Sequence, residues 1–190
     1  MQPILKRPFG LKFAKYQVLV LIGIAKIVIL ILLFKLNFTF HNPTPTWENA
    51  LSNTPTSLLK KVLSVDAVRG IEQKSVKVMQ ISSNGASKLY LFDYHSPKLC
   101  GAKGCIYSMY TESGELILQV IANPYLPPLV NLFQVSETVN QKFPCLVITQ
   151  STANENMLSR TLYCYQGHEY ARFNESLTAI DTNLKPEKGK

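Results

Sequence analysis

This sequence of 190 residues lacks the short motifs that announce common chemistries. It has no Gly-x-Ser-x-Gly elbow, no Walker loop, no dinucleotide fingerprint and no His-Glu-x-x-His. Its three histidines are scattered. Asp66, Glu72 and Asp93 form no acid–base set that spacing can define. No catalytic residue, metal ligand or cofactor is assigned on this basis, and a non-enzymatic role is expected.

Acid is missing from the N-terminus. All twelve Asp and Glu residues follow residue 47, the first being Glu48, whereas Lys6, Arg7, Lys12 and Lys15 fall within the first sixteen positions. The formal charge of +8 is therefore misleading. Six of the twenty basic residues precede residue 36, which leaves fourteen against twelve acids in the remainder. That is an ordinary soluble surface with no basic run interleaved with aromatics, so no nucleic-acid partner is expected.

What the N-terminus does contain is YQVLVLIGIAKIVILILLF, residues 16–34. Nineteen residues at ~1.5 Å each span ~28 Å, close to a bilayer core. A central Lys26 costs about 2.5–3.5 kcal/mol on insertion scales, and fourteen strongly apolar neighbours at about −0.3 to −0.6 kcal/mol each offset it. Cleavage as a signal peptide would need a small-x-small site, and nothing of that kind occurs before Ala50. No cysteine follows the run, which argues against a lipoprotein anchor. The expectation is a signal-anchor helix over residues 16–35, a basic cytoplasmic segment over 1–15 and everything beyond outside the cytoplasm. The chain would then be a single-pass protein of the cell membrane. Lys26 is the candidate for an intramembrane contact with an acidic group on a partner helix, set against the plainer reading of a charge that snorkels.

Residues 36–56 are rich in Asn, Thr and Pro and read as a linker. Ser57–Leu63 has apolar residues at helical spacing. Beyond it the pattern is of strands. Val76–Ser82 and Lys88–Tyr94 flank Ser83-Asn84-Gly85, a hairpin signal. Ile106–Tyr110 and Leu116–Ile121 flank a second turn, and Cys145–Gln150 and Leu158–Tyr165 flank a third. The three prolines of Asn123–Pro128 require a loop. Leu132–Ser136 reads as a further strand and Tyr170–Phe173 as a short edge. The fold class expected is α+β and β-rich: the transmembrane helix, then a mostly antiparallel meander sheet with at most one or two short helices. The exported domain would span residues 57–180, and 181–190 would form a flexible tail.

Four cysteines in an exported domain suggest two disulfides, for which three connectivities exist. If the third hairpin turns between Asn154 and Glu155, Cys145 faces Cys164, Val147 faces Leu162 and Thr149 faces Arg160. Directly opposed residues in a non-hydrogen-bonded pair lie about 4.5 Å apart at Cα, within reach of a bridge. Cys145–Cys164 is ranked first on this ground, leaving Cys100–Cys105 to close a tight loop with Gly101 and Gly104 supplying positive-φ freedom. The sharper readings of Cys100-Gly-Ala-Lys-Gly-Cys105 are weaker. A Cys-x4-Cys pair is loose for zinc, a redox centre is usually Cys-x-x-Cys, and a nucleophilic Cys100 with His95 as base lacks an orienting third residue. A loop presenting Gly101, Lys103 and Gly104 to an anion stays open as an alternative. Tyr90, Tyr94, Tyr107, Tyr110, Tyr163 and Tyr165 lie in or near strands and are expected mostly to pack.

The stretch CGAKGCIYSMY, followed by a Pro-rich loop, PCLVITQ and LYCY, resembles a group of uncharacterised exported bacterial proteins with a Cys-Gly-x-x-Gly-Cys segment. The resemblance covers residues 90–175 and implies a bacterial origin and an exported location. It brings no assigned activity. The functional expectation is an interaction module or accessory subunit of an envelope complex with a membrane-protein partner. The alternative is a small-ligand or anion-binding module using the 97–105 loop.

Overall fold

The computed structural model describes residues 45–180, except 155, together with Lys26. Strand β1 (Trp47–Asn49) runs into a one-turn helix α1 (Ala50–Asn53) and an eight-residue helix α2 (Thr56–Leu63). Then follow β2 (Lys77–Ile81), β3 (Leu89–Asp93), the two-residue β4 (Cys100–Gly101), β5 (Gly104–Thr111) and β6 (Leu116–Ala122). After the Pro-rich segment come β7 (Phe133–Asn140), β8 (Phe143–Ser151), β9 (Met157–Tyr165) and β10 (Tyr170–Ala179).

Helix α2 forms because Leu58, Leu59 and Val62 fall on one face and are all buried. Lys60 and Lys61 lie in its last turn, where cations complement the helix dipole. The hydroxyl of Ser64 donates to the Lys61 carbonyl at 2.7 Å and closes the end. Helix α1 is started by Asn49, whose side-chain oxygen accepts from the Leu51 amide at 2.9 Å.

All strand pairs are antiparallel. The first sheet runs β1-β2-β3-β5, with β4 and β6 also paired to β5. Cys105 opposes both Cys100 and Ala122, so β4 and β6 lie on opposite edges of β5. The second sheet is the meander β7-β8-β9-β10.

The layers follow from side-chain parity. On β3, Leu89 and Leu91 point into a core shared with Phe133, Leu146, Ile148 and Tyr170 of the second sheet. Tyr90 and Phe92 point the other way, into a core shared with Ala50, Leu58, Leu59 and Val62 of the helices. The order is therefore helices, first sheet, second sheet. An aromatic cluster ties the inner core together: the rings of Tyr107 and Phe133 are 4.8 Å apart and those of Trp47 and Phe133 are 6.0 Å apart.

Two points correct the fold class expected from the sequence. The strands form two sheets in a layered domain, not one meander. The physical reason lies in β3, whose Leu-Tyr-Leu-Phe is apolar on both faces and needs a layer against each. The prolines after β6 end that strand and set an irregular connector before β7. In addition, no helix among the described residues is long and apolar enough to cross a membrane. The segment expected to do so, 16–35, lies outside the described residues apart from Lys26, whose backbone is helical and which is exposed. Segments 1–15 and 181–190 also lie outside them. Of the expected 36–56 linker, residues 47–53 are strand β1 and helix α1, held by pairing of Trp47 with Met79 and Asn49 with Lys77.

Candidate functional site

Both disulfides are formed. Cys145 and Cys164 join β8 to β9 with Cα atoms 4.4 Å apart, and both residues are buried. The pairs Val147–Leu162 and Thr149–Arg160 follow this bridge toward the hairpin turn. Cys100 and Cys105 close a two-residue hairpin with Ala102 and Lys103 at its tip, with Cα atoms 3.9 Å apart. Cys100 is exposed, and Cys105 packs against the inner core. With every described cysteine bridged, the sulfur of Cys100 is not a thiolate and offers no nucleophile. Among the described residues no group of three or more His, Cys, Asp or Glu could hold a metal ion.

The two glycines of the hairpin are not equivalent. Gly104 has φ +119°, and a Cβ built there would lie 2.3 Å from the carbonyl carbon and oxygen of Ala122 and 2.6 Å from the Asn123 nitrogen. The β6 backbone therefore crosses where a side chain would be. Gly101 has open space around it and no positive φ, which corrects the expectation that both glycines supply left-handed freedom. The lysine between them, Lys103, is exposed. His95, upstream, has φ +46°, and its amide donates to the Asp93 carboxylate at 2.8 Å.

The close approach at Gly104 sets the start of Asn123–Val130, where the chain leaves β6, against the hairpin. There Tyr125 and Leu129 stand 86% and 83% exposed. Neither was singled out by the sequence, where they are two apolar letters in a loop dense with proline. The Val130 amide donates to the Pro127 carbonyl at 3.2 Å, and Leu129 has φ +68°. This is the pattern of a type II turn, with proline at the second position and a leucine where glycine is usual.

A second exposed surface lies at the far edge of the second sheet. Among the described residues β10 pairs with β9 alone. Residues 172–179 are all exposed, with Phe173 67% and Leu177 63% accessible. The only charges on the strand are Arg172 and Glu175, which pair with each other, and the Ser159 hydroxyl also donates to Glu175. The sequence suggested only a four-residue edge here, because alternation is lost after Phe173. A bulge between Arg172 and Asn174 explains this: it shifts the register and the strand continues to Ala179. Beside this strand, the outer face of the second sheet has a shallow depression walled by Val147, Arg160, Leu162, Asn174, Glu175 and Ser176. The 97–105 loop takes no part in it.

The tyrosines divide cleanly. Tyr90, Tyr94, Tyr107 and Tyr110 are buried, and Tyr163 and Tyr165 are half-buried against the inner core. Burial pushes the Tyr107 phenol up to about 12, with the Asp93 carboxylate adding to the rise. Burial likewise raises Tyr94 and Tyr170. The Tyr170 hydroxyl donates to the Pro144 carbonyl at 2.7 Å. These phenols are locked structural groups held neutral.

Fold and surfaces together define a disulfide-braced, three-layer β-rich domain with two exposed apolar features. No family model matches the chain, and neither a curated protein nor a solved structure matches it.

Proposed function

We propose that this domain is a non-enzymatic interaction module that works outside the cytoplasm, is retained at the cell membrane, and serves as an accessory subunit of an envelope complex. The two disulfides support the compartment, since such bridges persist where thiols are oxidised.

The observation that carries the interaction role is β10. A strand with one unpaired edge presents backbone N–H and C=O groups that template another strand. Proteins block such an edge with Lys, Pro, other charges or bulges. The first half of β10 has a bulge and the Arg172–Glu175 pair, but Ser176–Ala179 carries none of these, and among the described residues its outer edge is unpaired. Phe173 and Leu177 add exposed apolar area along it. The partner supplies an extended segment that joins the second sheet, with main-chain hydrogen bonds giving affinity and alternate side chains giving selectivity.

Capture from membranes solubilised in mild detergent tests this. The full chain is expected to retain a partner, and Leu177→Lys combined with Phe173→Lys should lose it while unfolding like the parent. Both side chains project into solvent, so their exchange leaves the core intact. A parent protein that runs alone under conditions preserving envelope complexes overturns the proposal.

A further inference from the structure

The loop end of the first sheet has a composition unlike the rest of the surface. Residues 94–111 and 116–136 contain no Asp or Glu. Two lysines lie there, Lys98 and Lys103, both exposed. The acids that border these stretches in sequence are Asp93, Glu112, Glu115 and Glu137, and Asp93 is engaged by His95. Against this positive background stand Tyr125, Leu129 and the half-exposed Ile121.

Leu129 carries the argument. Left-handed backbone costs a side-chain-bearing residue roughly 1–2 kcal/mol, which glycine avoids. A buried leucine offsets such a cost by packing, but Leu129 is 83% exposed and gains almost nothing within the domain. Its conformation turns an apolar side chain outward on a turn stiffened by Pro127 and Pro128. Below it, the 100–105 bridge and the close Gly104–Ala122 crossing fix the base of the loop. The result is an apolar tip on the same end of the first sheet as two exposed cations.

We infer that the tip formed by Tyr125 and Leu129, with Lys98 and Lys103 exposed at the same end of the first sheet, docks onto an anionic lipid surface. Tyrosine suits the interface because its ring is apolar and its hydroxyl stays wet. Leucine enters the acyl boundary, and each lysine adds attraction to acidic headgroups. This surface is separate from β10, and the inference is independent of the strand-addition reading.

The test places an environment-sensitive dye on the full chain at Pro124→Cys. Pro124 is exposed and next to the tip, and the native cysteines are bridged, so the introduced thiol is the one labelled. The same dye at Asn84→Cys, in the β2–β3 loop at the opposite end of the sheet, is the control. Vesicles of phosphatidylcholine alone are compared with vesicles containing phosphatidylglycerol. The expected result is a blue shift at position 124 with the anionic vesicles only, and none at 84. Lys98→Gln and Lys103→Gln should each weaken it about fivefold, and Tyr125→Ser with Leu129→Ser by at least about tenfold. An equal response to both vesicle types, an equal response at position 84, or no response overturns the inference. So does a response confined to native membranes that contain protein, which would assign the tip to a protein partner.

Discussion

Gly104 is where a single residue decides the geometry of the loop end. Its hydrogen fills the space where a Cβ would strike the Ala122 carbonyl. Gly104→Ala forces β5 away from β6 beside the disulfide, at positive φ. A loss of about 2–3 kcal/mol is expected in urea unfolding. Gly101→Ala, with open space around it, should stay within about 0.5 kcal/mol of the parent. Equal effects at the two sites would refute the asymmetry. The sequence marks both glycines but cannot separate them, since what distinguishes them is a strand that arrives from eighteen positions downstream. Leu129 was hidden for a related reason. A left-handed leucine breaks the residue preference from which turns are read, so nothing local announces it.

At the scale of elements, the β7–β8 hairpin holds an improvable turn. Asn140 opposes Phe143, and Gln141 and Lys142 between them have φ +48° and +73°. Two positive φ values in a two-residue loop mark a type I′ turn, for which Asn-Gly is the favoured pair. Lys142→Gly should raise the unfolding free energy by about 1 kcal/mol. The contact it makes to the β2–β3 loop survives, because the Asn84 amide donates to the backbone carbonyl of Lys142. A chemical melt that shows no gain would mean that neighbouring contacts already relieve the strain. Elements of this kind were unevenly legible. The β8–β9 register follows from the polar turn and the spacing of Cys145 and Cys164, and the observed pairs Val147–Leu162 and Thr149–Arg160 have that spacing. The β7–β8 turn carries no Gly, Pro or Asn at its centre and gives no such signal. β1 hides in a Pro- and Asn-rich stretch because three residues are too few for a period.

Across the whole molecule, the two sheets meet at Trp47, Tyr107 and Phe133. The raised phenol of Tyr107 makes that junction sensitive to alkali. Its proton is held more tightly in the folded chain than in the unfolded one, where the ordinary value is 10.0. The stabilisation is therefore complete below pH 10 and falls as the pH rises from 10 to about 12. Trp47 is the sole tryptophan, so its emission during urea titrations at several pH values reads this directly. Tyr107→Phe should make the loss across that window shallower by the share of one phenol, while the other buried tyrosines, whose phenols are also raised, keep part of it. The division into two sheets was not legible from alternation, because period-2 patterns say which faces are apolar and not which strands share a sheet.

Each sheet is drawn from its own unbroken stretch of chain, β1 to β6 and then β7 to β10, and each bridge joins cysteines that are consecutive in the sequence. During synthesis the first pair is complete before either member of the second emerges. Oxidation in order of arrival thus produces the native connectivity without reshuffling. The difficulty is one of timing. Until the second sheet arrives, the inner face of the first, with Met79, Leu91 and Met109, stands bare. At about 5–20 residues per second, that interval lasts on the order of seconds. A nascent chain of this design has little need of a disulfide isomerase and a real need of a holdase.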